Sequence, residues 1–176
     1  MKFNKKQEIT PEIEKFISYK WIQEWFQKSL FKNIYKEAVK ENINIGQFTQ
    51  WLYDLGINPL LKLKEIPESF LEGNDNLIEI HIPDTINKIG ESAFYGCSNI
   101  RELVIPRNVE IIEGWSLAHM NTLQEITIRG KLEELYALAI YDNDHLKVIS
   151  SIPENKEILT VMISELKNSK AKFREI

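Results

Sequence analysis

A step of 23 residues recurs through the middle of the chain and constrains its fold more than any other feature. Aliphatic residues, with one phenylalanine, occupy matching positions at this step, and six such columns keep one register without a gap. The columns hold Ile66, Ile89, Ile112 and Leu135; Leu77, Ile100, Leu123 and Leu146; Ile80, Leu103, Ile126 and Ile149; Ile82, Ile105 and Ile128; Ile86, Val109 and Leu132; and Leu71, Phe94, Leu117 and Ile140. One repeat cannot bury its apolar face alone, so the pattern predicts a solenoid of stacked repeats.

Within each repeat the spacing predicts a short strand followed by a turn. The first full repeat opens with Leu77-x-x-Ile80-x-Ile82. Ile80 and Ile82 should point to one face, because side chains alternate along a strand. Pro83 lacks a backbone N–H and suits the strand's end. The later stretch GESAFYGC predicts an irregular or helical turn that places Phe94 in the core.

This unit resembles the BspA-like subclass of leucine-rich repeats. That subclass shows an Ile-Pro after the strand, an Ile-Gly, an Ala-Phe and a Cys before the next Leu. The matching residues are Ile82-Pro83, Ile89-Gly90, Ala93-Phe94 and Cys97. The resemblance covers residues 57–152 and implies an α/β fold, a short leucine-rich-repeat solenoid of three to four 23-residue repeats. It also implies a binding module, since family members are mostly binding proteins and many lie on cell surfaces.

The remaining chain predicts two further parts. Residues 1–56 lie outside the repeat and should form a helical domain, because Thr10-Pro11 is a typical helix start. Residues 153–176 should form a C-terminal capping helix, which would cover the core that the last repeat exposes. Its apolar face would contain Ile158, Met162, Leu166 and Phe173, and its last turns would contain Lys167, Lys170, Lys172 and Arg174.

Composition excludes several classes of protein. The net charge is −4, which excludes an overall basic nucleic-acid binder. No apolar run approaches the roughly 20 residues that a transmembrane helix needs. The first residues carry lysines without an apolar stretch behind them, which is not typical of a secretory signal. The single cysteine, Cys97, excludes an internal disulfide. We therefore expect a soluble, cytoplasmic protein without a membrane partner.

Outward-facing strand positions form the first candidate partner site. In three successive repeats they hold Glu79 and His81, Glu102 and Val104, and Glu125 and Thr127. The three glutamates should stack in one row, at roughly the 4.8 Å between adjacent strands. One interpretation is a solvated charged face, relieved by Arg101 and Lys147. The other is an acidic strip on a concave face that binds a basic partner.

Aromatic residues in the predicted helical domain form the second candidate. Trp21 and Trp25 lie among lysines, including Lys20 and Lys28. The apolar positions there cover more than one core-facing stripe. These helices could pack on two sides, or the spare tryptophans could contact a protein partner or nucleic acid.

No pattern of residues indicates catalysis. His81, His119 and His145 lie at different repeat positions, and Cys97 occupies a slot that fits a packed thiol. Zinc-protease, phosphate-loop and nucleophile-elbow motifs are absent, so we expect no enzyme, no cofactor and no metal.

The favoured function is non-catalytic protein–protein binding inside the cell. It extends to an inhibitor that occupies a basic or nucleic-acid-binding surface of a partner enzyme, as a phage-type anti-defence protein would. The alternatives are a nucleic-acid-binding regulator that uses the N-terminal helices, or an adhesin-like repeat fragment. Both a monomer and a weak dimer fit the sequence.

Overall fold

Successive repeats stack through parallel strands in two sheets. The computed structural model describes residues 60, 63–75, 77–166 and 170–176. The predicted helical domain, residues 1–56, lies outside them and stays a prediction. The elements are β1 (Glu65–Ile66), β2 (Lys88–Ile89), β3 (Glu102–Ile105), β4 (Ile111–Ile112), β5 (Glu125–Ile128), β6 (Glu134–Leu135), β7 (Val148–Ser151), α1 (Lys156–Glu165) and β8 (Lys172–Glu175), with a 3₁₀ turn, Pro153–Asn155, before α1.

The two sheets have the order β1-β2-β4-β6 and β3-β5-β7-β8, and every pairing is parallel. The register between the repeats is one step of 23: Glu102 pairs with Glu125, and Glu125 with Val148. A third side is built from turns that also bond to each other. Phe94 N donates to Ser116 O at 2.8 Å. Each repeat therefore contacts the next along three sides.

All six predicted columns face inward and form one core. Most members are fully buried, including Ile89, Phe94 and Ile112 at 0% exposure. Ile80 and Leu135 are partly buried and pack against the same core. Burying one such side chain contributes about 1.5–3 kcal/mol, so the columns supply the main stabilisation.

The turns of the third side repeat two left-handed backbone positions. One position is Ser69, Ser92, Trp115 and Leu138, and the other is Gly73, Gly96, His119 and Asp142. Their φ angles lie between 55° and 70°. For residues other than glycine this conformation costs roughly 1–2 kcal/mol each, so stacking between the repeats must hold it in place.

A buried polar slot closes these turns. Asn143 Nδ2 donates to Leu117 O at 2.7 Å, and its Oδ1 accepts from Met120 N at 2.8 Å. Two repeats earlier, Cys97 fills the same slot and donates its Sγ–H to Leu71 O at 3.0 Å. One side chain from each of these repeats thus satisfies backbone groups of the repeat before it.

The predicted strand at residues 77–82 is not formed. Within the described part of the chain, no pairing register joins this segment to β3, so it lacks the hydrogen bonds that define a strand ladder. Its inward pattern is nevertheless right, because Leu77 and Ile82 are buried. The segment follows the core as extended chain.

The C-terminal cap differs from the single helix that the sequence predicts. Helix α1 contributes the buried Leu159 and Met162, but it ends at Glu165, after which Leu166 is extended. The assignment of Phe173 to a helix face is wrong, as is that of Lys172 and Arg174 to its last turns. These residues lie in β8, where Phe173 pairs with Ile149. The edge of β7 exposes backbone groups that a further strand satisfies.

No helix in the described part of the chain has both the length and the apolar character that crossing a membrane requires.

Two glycines allow close contact between repeats. Replacing glycines by alanine should therefore reduce stability by an amount that depends on the space around each one. A Cβ at Gly90 would lie 2.7 Å from Ile66 O, and one at Gly130 would overlap Arg107 O. Gly90→Ala and Gly130→Ala should each lower the free energy of unfolding by about 1–3 kcal/mol. Gly114→Ala is the control, because its Cβ would meet only Ala137 O at 3.6 Å. Urea unfolding should find that variant within about 0.5 kcal/mol of wild type. Equal losses in all three variants would contradict the close approach.

The buried polar slot predicts a rank order at Asn143. Asn143→Leu removes three hydrogen bonds and leaves Met120 N and Leu117 O unpaired. The free energy of unfolding should fall by about 2–4 kcal/mol. Asn143→Cys inserts the residue type that fills this slot at Cys97. Its free energy of unfolding should fall by less than that of Asn143→Leu. Thermal unfolding followed by circular dichroism tests the order, and a cysteine variant no better than leucine would contradict it.

Candidate functional site

The outward side of the β3-β5-β7-β8 sheet, here called the strand face, contains four of the eight predicted partner-binding residues: Glu102, Val104, Glu125 and Thr127. Two rows of side chains cross it. The first row is Glu102, Glu125, Val148 and Lys172, and the second is Val104, Thr127, Ser150 and Arg174. Neighbouring members lie at the spacing of adjacent strands, about 4.8 Å. The strand face is therefore an ordered surface rather than a cavity.

The predicted glutamate row is only partly brought together. The register places Glu102 beside Glu125. Glu79 and His81 are exposed, but they lie in the extended segment outside the sheet. Glu102 is exposed and Glu125 half-buried. The row therefore consists of two paired glutamates, with Glu79 one repeat away.

Strand β8 adds cations that the sequence did not place here. Arg174 Nη2 forms an ion pair with Glu125 Oε1. Ser150, which is buried, donates its Oγ–H to the same carboxylate oxygen at 3.1 Å. Lys172 ends the first row. The strand face thus runs from acidic at β3 to basic at β8, and Glu125 already has two partners.

Trp21 and Trp25 lie outside the described residues, so their role in a partner site stays a prediction.

Four rings on the turn side form a surface that the sequence reasoning missed. This aromatic ridge consists of Tyr95, Trp115, His119 and Tyr141. Trp115 and His119 are parallel to within 7°, with ring centroids 6.3 Å apart. Tyr95 packs on His119 at 4.8 Å, and Tyr141 contacts Trp115 at 5.5 Å. All four side chains are half-buried.

One sequence signal could have revealed part of the ridge. Tyr95 and Tyr141 occupy the same repeat position, with Ala118 between them. The small alanine leaves space that Trp115 and His119 occupy from neighbouring positions. His119 is further held by Asp142, whose Oδ2 lies 2.8 Å from His119 Nδ1.

The candidate catalytic groups do not converge. Among the described residues, no group of three or more His, Cys, Asp or Glu side chains could hold a metal ion. Cys97 is buried, as the packed-thiol interpretation expects, and burial raises the pKa of its thiol to about 12. A thiol with that pKa is protonated near neutral pH, which disfavours reaction because the thiolate is the nucleophile.

Comparison with known proteins gives one family. A family model for the BspA type leucine rich repeat region, in six copies, matches residues 20–147 and 64–173. These matches span more than half of the chain and begin before the predicted boundary at residue 57. No curated protein and no solved structure matches the chain.

Burial of Cys97 predicts slow chemical labelling. A pKa about three units above the ordinary value of 9.0 leaves on the order of 10³-fold less thiolate at a given pH. Dithionitrobenzoate at mildly alkaline pH should react slowly with the native chain and at once in denaturant. Cys97→Ser gives the zero-label control, because the chain has one cysteine. Rapid, stoichiometric labelling of the native chain would contradict the packed thiol.

Proposed function

Because the chain belongs to the BspA-type leucine-rich repeat family, we propose that it is a non-catalytic protein-binding module whose strand face contacts the partner. The observation that carries the proposal is the regular pairing of β3, β5, β7 and β8. It displays two rows of side chains on one sheet, and the exposed apolar side chain of Val104 lies in the same strand as Glu102 and beside Thr127 of β5. An apolar contact with a polar rim is typical of protein interfaces.

The charge distribution supports a partner with a basic surface at the β3 end. Glu79 and Glu102 are exposed there, and within the described residues no ion pair involves either carboxylate. At the β8 end, Arg174 is paired with Glu125. The acidic end is therefore available to steer a basic partner, and the basic end disfavours the reverse orientation.

The inhibitor hypothesis is a finer form of the same proposal. An inhibitor that imitates phosphates needs several unpaired carboxylates in a row, and Glu79 and Glu102 are the candidates. Glu125 contributes less, because Arg174 and Ser150 already contact its carboxylate. An adhesin-like repeat fragment would use the strand face in the same way with a different partner. The two versions differ in the partner's location rather than in the binding surface.

Charge reversal at the acidic end tests the proposal. The Glu79→Lys/Glu102→Lys double variant should reduce capture of a partner from native host lysate by at least about tenfold, because like charges then face each other. Capture is measured by quantitative mass spectrometry against the wild-type chain. Glu125 is left intact, since reversing it would place two cations side by side at Arg174.

A matched control separates position from net charge. Glu110→Lys/Glu133→Lys makes the same charge change at two exposed residues that precede β4 and β6, away from the strand face. It should capture the partner as wild type does. If both double variants lose the partner equally, or neither does, the acidic end of the strand face is not the binding surface. A low-salt gel shift in parallel would detect the alternative nucleic-acid regulator, whose binding weakens as salt rises.

A further inference from the structure

We propose that the N-terminal end of the aromatic ridge is a second binding site, which takes an arginine side chain of a protein partner. The site lies on the turn side of the repeats, whereas the strand face lies on the four-stranded sheet. It therefore stands or falls independently of the function proposed above.

The ridge borders a shallow, open depression. Glu72, Ser92, Tyr95 and Trp115 line its volume of about 370 Å³. Two rings, a carboxylate and a hydroxyl thus face one space. The depression therefore differs from a lone acidic or aromatic patch, because it combines aromatic rings with a charged and a hydrogen-bonding group.

The chemistry of these groups selects a cation. The faces of Trp and Tyr rings attract cations through their quadrupoles, with Trp the stronger. Glu72 brings a full negative charge to the same depression, and none of its four lining residues is cationic. An anion would meet repulsion from Glu72 without a compensating lysine or arginine.

Among cations, the guanidinium group fits best. It is planar, so it can stack on an indole ring while its N–H groups donate to a carboxylate. Tyr95 and Trp115 are inclined to each other at 61°, with ring centroids 6.4 Å apart, so both can border one cation. His119 packs on Tyr95 and is itself held by Asp142, so the Tyr95 ring has an anchored neighbour.

Other repeats carry smaller side chains at the positions of Tyr95 and Trp115. Ala118 occupies the repeat position of Tyr95, and Leu138 that of Trp115. Both replacements lie in repeats with the same backbone path, including the left-handed φ at Leu138. The repeat backbone therefore accommodates Ala and Leu at these positions, while the half-buried Tyr95 and Trp115, besides packing on each other and on neighbouring rings, keep exposed ring surface that a ligand can contact.

A titration with a single-arginine peptide tests the site. The probe is acetyl-Gly-Gly-Arg-Gly-Gly-amide at low salt, added to the full ¹⁵N-labelled chain. The control probe replaces arginine with citrulline, which has the same shape without the charge. We expect the indole N–H signal of Trp115 to shift saturably, with a dissociation constant of about 1–10 mM. The citrulline peptide should bind about tenfold more weakly.

The variants follow from the repeat. Trp115→Leu and Tyr95→Ala insert residues already found at the same positions, and each should weaken arginine binding at least about fivefold. Trp115→Leu also assigns the indole signal among the four tryptophans. Glu72→Gln should weaken binding about two- to fourfold and reduce its salt dependence. Tyr136→Ala, at an exposed tyrosine that makes no ring contact with the ridge, should bind as wild type does.

Four results would overturn the inference. Equal binding of the arginine and citrulline peptides would show that charge does not matter. An absence of any shift at Trp115, or a saturable shift confined to the other tryptophans, would place binding elsewhere. A saturable shift with cellohexaose and none with arginine would make the ridge a sugar-stacking surface. Loss of binding by the strand-face variant Glu79→Lys/Glu102→Lys would equally refute an independent site.

Discussion

Backbone hydrogen bonds between neighbouring repeats are the constraint on which this structure depends. A strand of two or four residues has no stability alone, and each one gains its partners from the repeats on either side. The turns obey the same rule, as the bond from Leu117 N to Ala139 O shows. Three sides of each repeat must form hydrogen bonds to the next repeat at the same time. Each repeat must therefore contain the same number of residues. The aligned core columns follow from that length.

Buried side chains complete the backbone bonding where the turns cannot do so themselves. Cys97 and Asn143 share one repeat position, and both donate to a carbonyl of the preceding repeat. Asn155 acts similarly at the C-terminal end, where its Nδ2 donates to Gly130 O and its Oδ1 accepts from Leu132 N. A thiol and an amide thus fill the same slot, with one hydrogen bond from Cys97 and three from Asn143. In this chain the cysteine of the repeat motif is a buried hydrogen-bond donor.

The sequence could predict the structural features that recur in every repeat. It could not predict the features that depart from the repeat. The inward columns and the pairing of Glu102 with Glu125 follow from the period alone. Strand β8 was missed because α1 precedes it and it pairs with β7 at a step of 24 rather than 23. That miss also hid the ion pair of Arg174 with Glu125. The aromatic ridge was missed because its rings occupy three different repeat positions, and contacts between positions depend on side-chain geometry that a period does not contain.

The left-handed positions of the turns give this protein a surface whose side chains can change while the fold stays the same. Ser92, Trp115 and Leu138 share one backbone conformation although their side chains have little in common. The backbone therefore determines where each side chain leaves the turn, and packing of the core does not depend on which side chain stands there. Successive positions are spaced by one repeat, roughly 5 Å. The surface therefore presents side chains at a regular spacing, and any one of them can be replaced separately. New binding specificities can arise by single substitutions while the backbone beneath keeps its shape.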